Sequence, residues 1–143
     1  MSMINMKEWC LGIMDCPERT AIPIMTHPGI ELCGCTVREA VTDGQVHAEV
    51  IRKLNEIYPA AACTVIMDLT VEAEAFGAKV VFEDNEVPNV VGRLVTDVAS
   101  VKGLQIPSLK EGRISEYLKA NKLAAEYIMD KPVFGGCIGP FSL

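Results

Sequence analysis

The sequence lacks three features that would assign it to common classes of protein. No apolar run approaches the roughly 20 residues needed to cross a bilayer. Basic residues are in deficit, with 13 Lys and Arg against 19 Asp and Glu and a net charge of -6. No basic surface is therefore expected for nucleic acid or for a membrane. The first 20 residues also lack the cationic and apolar regions of a signal peptide, so the predicted location is the cytoplasm.

The sequence is also short, and its cysteines form no paired metal-binding motif. Its 143 residues allow one domain but not a complete (β/α)8 barrel of about 250 residues. Six cysteines are present, yet a chain of this length can bury a core without disulfides. Cys63 and Cys137 lie in apolar runs and are predicted to be buried thiols.

The hydrophobic pattern alternates between strand-like runs and amphipathic helices. The tetrapeptides Thr42-Asp43-Gly44-Gln45 and Ser108-Leu109-Lys110-Glu111 match capping boxes at the start of two helices. Helices are predicted over 3–15, 42–58, 70–76 and 108–129, and strands over 21–26, 61–67 and 133–138. Parallel strands need such helical crossovers, so the predicted fold class is α/β with a parallel sheet.

The end of the sequence resembles the beginning of another helix. Proline is favoured at the first helical position, and Gly139-Pro140-Phe141-Ser142 follows the last predicted strand. The helix that should cover this strand is not present. We therefore expect a truncated or split protein whose open sheet edge is covered by a second copy or by a complementary chain.

Two acidic residues are the first candidates for a site. Asp68 ends the predicted strand 61–67, at the sheet edge where α/β proteins bind their ligands. Asp68 is equally suited to cap the helix that follows. Glu72 is expected on the same helix face as Asp68, whereas Glu74 is expected to point elsewhere.

His27 and the Cys33-Gly34-Cys35 segment are weaker candidates. Imidazole and thiolate groups suit zinc, so His27, Cys33 and Cys35 could form a three-ligand site. A single Cys-x-Cys segment is an unspecific signal, and His27 is better explained as a pocket residue beyond the first strand. His47 is predicted to be a surface residue of its helix.

Two segments of the sequence resemble a known superfamily. VIMDLTVEAEAFGAKVVFEDNEVPNV and KPVFGGCIGPFSL are similar to the amino-terminal half of uroporphyrinogen decarboxylases, and the likeness runs from about Pro23 to Leu143. The resemblance implies a (β/α)8 barrel with its cleft at the carboxyl ends of the strands. Residues 1–143 would form one partial barrel domain, and Asp68 matches the catalytic aspartate.

One departure from the decarboxylase pattern favours another branch of the superfamily. Decarboxylases carry arginines after the first strand, which suit a substrate with many carboxylates. The matching segment here, residues 26–31, has no arginine and contains Glu31. The chain more closely resembles the corrinoid-dependent methyltransferases, in which a zinc-bound thiolate takes a methyl group from a methylated corrinoid.

The methyltransferase resemblance implies a set of partners and site residues. Methylcobalamin or a corrinoid protein would be the partner, with His27, Glu72 and Phe141 in the binding surface. The zinc ligands of that branch would lie beyond Leu143, so no metal ligand is assigned and the chain alone is expected to be inactive. A tetrapyrrole decarboxylase and a non-catalytic corrinoid- or tetrapyrrole-binding module remain the alternatives.

Overall fold

Helices and short strands alternate along the chain. The structure, a computed structural model, describes residues 4–24 and 26–139. The helices are α1 (Met6–Asp15), α2 (His27–Cys33), α3 (Val37–Thr42), α4 (Gly44–Ile57), α5 (Val71–Ala75), α6 (Val98–Gly103) and α7 (Ile114–Tyr127). The strands are β1 (Cys63–Thr64), β2 (Lys79–Val81), β3 (Asn89–Val91) and β4 (Val133–Phe134). In these two ranges no helix is both long and apolar enough to span a membrane.

Strand β1 pairs in parallel with β4. Cys63 is opposite Val133, and Thr64 is opposite Phe134. The connection between the two strands contains α5, an antiparallel β2–β3 hairpin, α6 and α7. The predicted α/β class is confirmed. A two-stranded parallel pair does not by itself establish a barrel, so the partial barrel stays a prediction.

The strand predicted over 21–26 does not form within the described residues. Residues 21–24 have no regular structure, although the segment lies beside β1. The Thr64 hydroxyl donates to the Pro23 carbonyl at 3.4 Å, and the Thr26 hydroxyl donates to the Thr64 carbonyl at 3.4 Å. Pro23 has no N–H to give to a ladder, and the segment is joined to the region of β1 by these two hydroxyls and by the Ala61 amide, which donates to the Ala21 carbonyl at 3.2 Å.

The two predicted capping boxes do not form at the starts of α4 and α7. Capping boxes form instead between Thr36 and Glu39 before α3 and between Asp97 and Ser100 before α6. Helix α4 is capped by Asp43, whose side chain accepts from the Gln45 amide at 2.7 Å. Ser108 bonds Glu111 within a turn, and α7 begins only at Ile114. A left-handed Gly112 separates the turn from the helix.

Helix α4 lies between α2 and α7 and contributes to both parts of the core. One cluster of buried residues packs around Val50, and the other packs around Ala48 and Ile51. Two glycines allow the close helix crossings. A Cβ at Gly29 would lie 2.6 Å from the Val50 carbonyl oxygen, and a Cβ at Gly44 would lie 2.3 Å from that of Glu116.

His47 is buried, so the prediction of a surface histidine is wrong. It shares a stripe of α4 with Val50 and Ile51, and only 1% of its surface is exposed. Its Nε2 accepts a hydrogen bond from the Ile66 amide at 2.8 Å, directly beyond β1. Its ring packs edge-on against Tyr117, with centroids 5.0 Å apart. Burial lowers the pKa of His47 to about 4, although the charge of Asp68 partly opposes this shift.

The Gly44→Ala substitution is expected to separate α4 from α7. The added Cβ would meet the backbone of α7, which cannot move without shifting Arg113 at the start of that helix. Overpacking of this kind costs about 1–3 kcal/mol, which urea unfolding can measure. Gly12→Ala is the control, since nothing lies within 4 Å of its Cβ position. Equal stability of the two variants would contradict the close crossing.

His47 is expected to make stability fall as the pH is lowered from about 6.5 to 4. The unfolded chain binds a proton at the ordinary pKa of histidine, whereas the folded chain resists protonation until about 4. The difference corresponds to a loss of about 3 kcal/mol across this range. The His47→Gln variant should lose this part of the pH dependence in urea unfolding, because glutamine does not titrate. His27→Gln, which changes an exposed histidine, should retain it.

Candidate functional site

A cleft lies beyond the carboxyl ends of β1 and β4. Its volume is about 210 Å³. The segment after β1 and the start of α5 form one wall, and α7 and the segment after β4 form the other. Asp68 and Glu72 line this cleft, whereas no lysine or arginine does. The cleft is therefore apolar with an acidic edge.

Asp68 is held firmly at the base of the cleft. Its side chain is 2% exposed, and Oδ1 accepts from the Thr70 amide at 2.9 Å and from the Thr70 hydroxyl at 2.7 Å. Oδ2 accepts from Arg113. Thus Asp68 both organises the turn before α5 and reaches the cleft. Its catalytic role stays a prediction.

Arg113 is the centre of a buried ionic network that the sequence did not predict. The residue is 6% exposed and binds Asp68 through Nη1 and Glu74 through Nε at 2.6 Å. Its Nη2 donates to the Thr70 hydroxyl at 2.8 Å. The guanidinium also lies 4.7 Å from the centre of the Phe82 ring, a cation–π contact.

The network keeps the guanidinium charged. Burial opposes the charge, but the hydrogen bonds and charges of Asp68 and Glu74 outweigh burial and raise the pKa of Arg113. One cation between two carboxylates leaves the group with a net charge of about -1. The donors of Arg113 are used within the protein, so it is not free to bind a ligand carboxylate.

The two glutamates of α5 have different partners. Glu72 lines the cleft, and its Oε1 accepts from the Ile138 amide at 3.0 Å, which holds the segment after β4. Glu74 binds Arg113 and so belongs to the network of Asp68. The expectation that Glu74 points elsewhere is wrong. The short α5 follows directly on the Asp68 turn, which directs Glu74 towards Arg113.

Tyr117 lies behind Asp68 in the wall of the cleft. It is 9% exposed, and its hydroxyl has no hydrogen-bond partner of normal geometry among the described residues. Burial and the nearby charge of Asp68 raise the pKa of Tyr117. The hydroxyl therefore stays protonated at neutral pH and is a donor beside an acidic site.

His27, Cys33 and Cys35 lie away from the cleft. His27 is exposed at the start of α2 and does not line the cleft. Cys33 and Cys35 pack against the core, and burial raises the pKa of both thiols. Phe141 lies outside the described residues.

The described residues do not form a metal site. No three histidine, cysteine or acidic side chains within 4–24 and 26–139 are grouped as metal ligands would be. Cys33 and Cys35 also favour the protonated thiol rather than the thiolate that zinc binds.

The two cysteines predicted to be buried differ in the structure. Cys63 is buried, as predicted. Cys137 is exposed and lines the cleft, so that prediction is wrong. Strand β4 ends at Phe134, and the glycines after it carry Cys137 out of the sheet.

Removing Arg113 is expected to destabilise the fold strongly. Arg113→Met leaves the buried Asp68 and the partly exposed Glu74 without their cation, which costs about 3–5 kcal/mol in the free energy of unfolding. Arg38→Met is the matched control, because Arg38 forms an exposed pair with Asp84 at 3.0 Å. That change should cost about 1 kcal/mol or less. Similar losses in chemical unfolding of both variants would contradict the special role of the buried network.

Comparisons with known proteins identify relatives that are longer than this chain. The chain is 33% identical over 116 residues to the methylcobamide:CoM methyltransferase MtbA of Methanosarcina acetivorans. It is 34% identical over 116 residues to MtbA of Methanosarcina mazei. Both matches cover 80% of this chain and 34% of the relative, so the chain spans about a third of these proteins.

A solved structure and a family model agree with these relatives. A methyltransferase from Methanosarcina mazei superposes with a TM-score of 0.74 and 25% identity, covering 88% of this chain and 40% of that one. The family model for uroporphyrinogen decarboxylase (URO-D) matches residues 16–143. These matches confirm the resemblance noted in the sequence. The chain therefore belongs to the uroporphyrinogen decarboxylase (URO-D) family.

Proposed function

We propose that residues 1–143 are the amino-terminal part of a (β/α)8 barrel in a corrinoid-dependent methyltransferase. The complete enzyme would move a methyl group from a methylated corrinoid to a thiol. The main support is the position of Asp68, on a cleft beyond the carboxyl ends of a parallel strand pair. Barrel enzymes place their reacting groups at this end. The similarity to methylcobamide:CoM methyltransferases supports the choice of reaction.

The polarity of the cleft suits the edge of a corrin ring. Its walls are mainly apolar, and its acidic edge offers acceptors to N–H groups. The periphery of a corrin carries amide side chains, which supply such donors. At about 210 Å³ the cleft is smaller than a typical ligand pocket, so this chain would provide one wall of the site.

The same polarity disfavours a tetrapyrrole decarboxylase. A substrate with many carboxylates needs cationic partners, and guanidinium groups are the best of them. The cleft lining contains two acidic residues and no basic one. Arg113, the nearest guanidinium to Asp68, is committed to Asp68 and Glu74.

The chain's own residues would bind and orient the corrinoid. Asp68, whose side chain is 2% exposed and bonded to Thr70 and Arg113, would hold the turn that forms this wall of the cleft. Glu72 would keep the segment around Ile138 against the ligand. His27 would contact a corrinoid protein from the surface of α2, and Phe141 would extend the binding surface.

Other parts of the protein would complete the enzyme. Zinc, which makes the acceptor thiol nucleophilic, would be bound beyond Leu143, since the described residues do not fit it. A second copy or a complementary chain would cover the open edge of β4. Methylcobalamin or a corrinoid protein would bring the methyl group, in the cytoplasm.

Titration with methylcobalamin is expected to perturb the cleft. In amide NMR spectra of the labelled chain, signals near Asp68 and Ile138 should shift. The Leu118→Glu variant adds a charge to the apolar wall and should weaken binding by about tenfold or more. Leu118 is half exposed, so the variant is expected to fold.

A matched variant separates binding at the cleft from a general effect of charge. Leu109→Glu changes an exposed leucine outside the cleft and should leave binding unchanged. Uroporphyrinogen should leave the cleft signals unshifted. Methylcobalamin that leaves the cleft signals unshifted would overturn the proposal. Shifts caused by uroporphyrinogen alone would favour the decarboxylase.

A further inference from the structure

The β2–β3 hairpin is largely exposed, but its Phe82 side chain reaches the buried network around Arg113. The two strands pair in antiparallel register, Lys79 with Val91, and most of their residues are exposed. Phe82 follows β2 directly, is half-buried and packs against the core cluster that contains Val50. The centre of its ring lies 4.7 Å from the central carbon of the Arg113 guanidinium. The hairpin is therefore attached to the candidate site through an aromatic side chain.

The ring of Phe82 covers a part of the guanidinium that hydrogen bonds cannot cover. Arg113 Nε donates to Glu74 at 2.6 Å, Nη2 donates to the Thr70 hydroxyl at 2.8 Å, and Nη1 binds Asp68. All N–H groups of a guanidinium lie in one plane, so such bonds leave the areas above and below that plane uncovered. An aromatic ring placed there attracts the cation and excludes water. Phe82 is the side chain that makes this contact.

Contacts with α3 hold Phe82 in this position. The Arg38 guanidinium donates to the Phe82 carbonyl and pairs with Asp84 at 3.0 Å, and the Arg38 amide donates to the Asp84 carbonyl at 3.3 Å. The side chains of this ion pair are 49% and 69% exposed, so the pair is weak. Gly77 before β2 and Gly92 after β3 have φ values of 102° and 79°, which let the chain turn sharply at both ends of the hairpin. Docking of the hairpin thus combines the aromatic contact with an exposed ion pair.

We infer that Phe82 is a positioning residue of the candidate site. Its ring keeps water from the Arg113 guanidinium and so strengthens the ion pairs with Asp68 and Glu74, because charges attract more strongly where water is excluded. Asp68 in turn holds the turn before α5, which belongs to one wall of the cleft. Docking of the hairpin is thereby coupled to the shape of the cleft. This role is independent of the proposed reaction and of the ligand that the cleft takes.

Hydrogen exchange of the Arg113 Nε–H, measured by NMR on the labelled chain, tests this role. Phe82→Leu keeps an apolar side chain but removes the ring, and it should speed this exchange about tenfold. It should also speed exchange of the Thr70 amide, which donates to Asp68 at 2.9 Å. Phe82→Tyr keeps the ring, so both exchange rates should remain those of the unchanged chain.

Two further variants separate this role from a general loss of packing. Phe134→Leu makes the same change at an edge-on contact with Trp9 and should alter neither exchange rate. Arg38→Met weakens the docking of the hairpin without altering the ring. It should speed the Arg113 exchange about threefold while the amides of α4 stay protected. This variant tests the role even if Phe82→Leu does not fold.

Several outcomes would contradict the assignment. It is wrong if Phe82→Tyr behaves as Phe82→Leu does, or if Phe134→Leu speeds the Arg113 exchange equally, because packing alone would then explain the effect. It is also wrong if Phe82→Leu speeds the Arg113 exchange but leaves that of the Thr70 amide unchanged, because Asp68 would then keep its place without the ring. Unchanged Arg113 exchange in Arg38→Met contradicts the coupling to the hairpin. The measurements need no ligand, so their failure leaves the proposed function standing.

Discussion

Burial of the Arg113 guanidinium is the constraint on which the site depends. An isolated charge cannot be taken out of water at this depth without several kcal/mol of cost, so partners must be brought to it. The partners come from separate parts of the chain: Asp68 after β1, Thr70 and Glu74 around α5, and the Phe82 ring after β2. Because these separate parts of the chain all contact the Arg113 guanidinium, their positions relative to α7 are fixed.

The helix core sets where that cation lies. Arg113 immediately precedes α7, whose position is determined by the crossing with α4 at Gly44. His47 on α4 accepts the Ile66 amide, which fixes the backbone two residues before Asp68. Thus α4 holds both ends of the Asp68–Arg113 contact. The site is built from core packing rather than from a flexible loop.

Features that depend on a local pattern of residues could be predicted from the sequence, whereas contacts between distant residues could not. Asp68 could be found because it ends an apolar run, and the α4 stripe is visible in its spacing. The same spacing places His47 with Val50 and Ile51, and could have shown its burial. Arg113 lies 45 residues from Asp68 and follows a glycine in a turn, so no local pattern marks it. The β2–β3 hairpin was missed because its strands are three residues long and mostly exposed.

The ligands of the family's two branches differ in the charge that they would bring to the cleft. The position of Asp68 at the end of the strand does not by itself choose between the substrates of the two branches. The choice depends on whether cations are available to the ligand around it. Arg113 is occupied by two carboxylates, and no lysine or arginine of the described residues lines the cleft. Under the proposed function, a ligand with carboxylates all around its ring would meet repulsion there, whereas a ring bearing amide donors would meet acceptors.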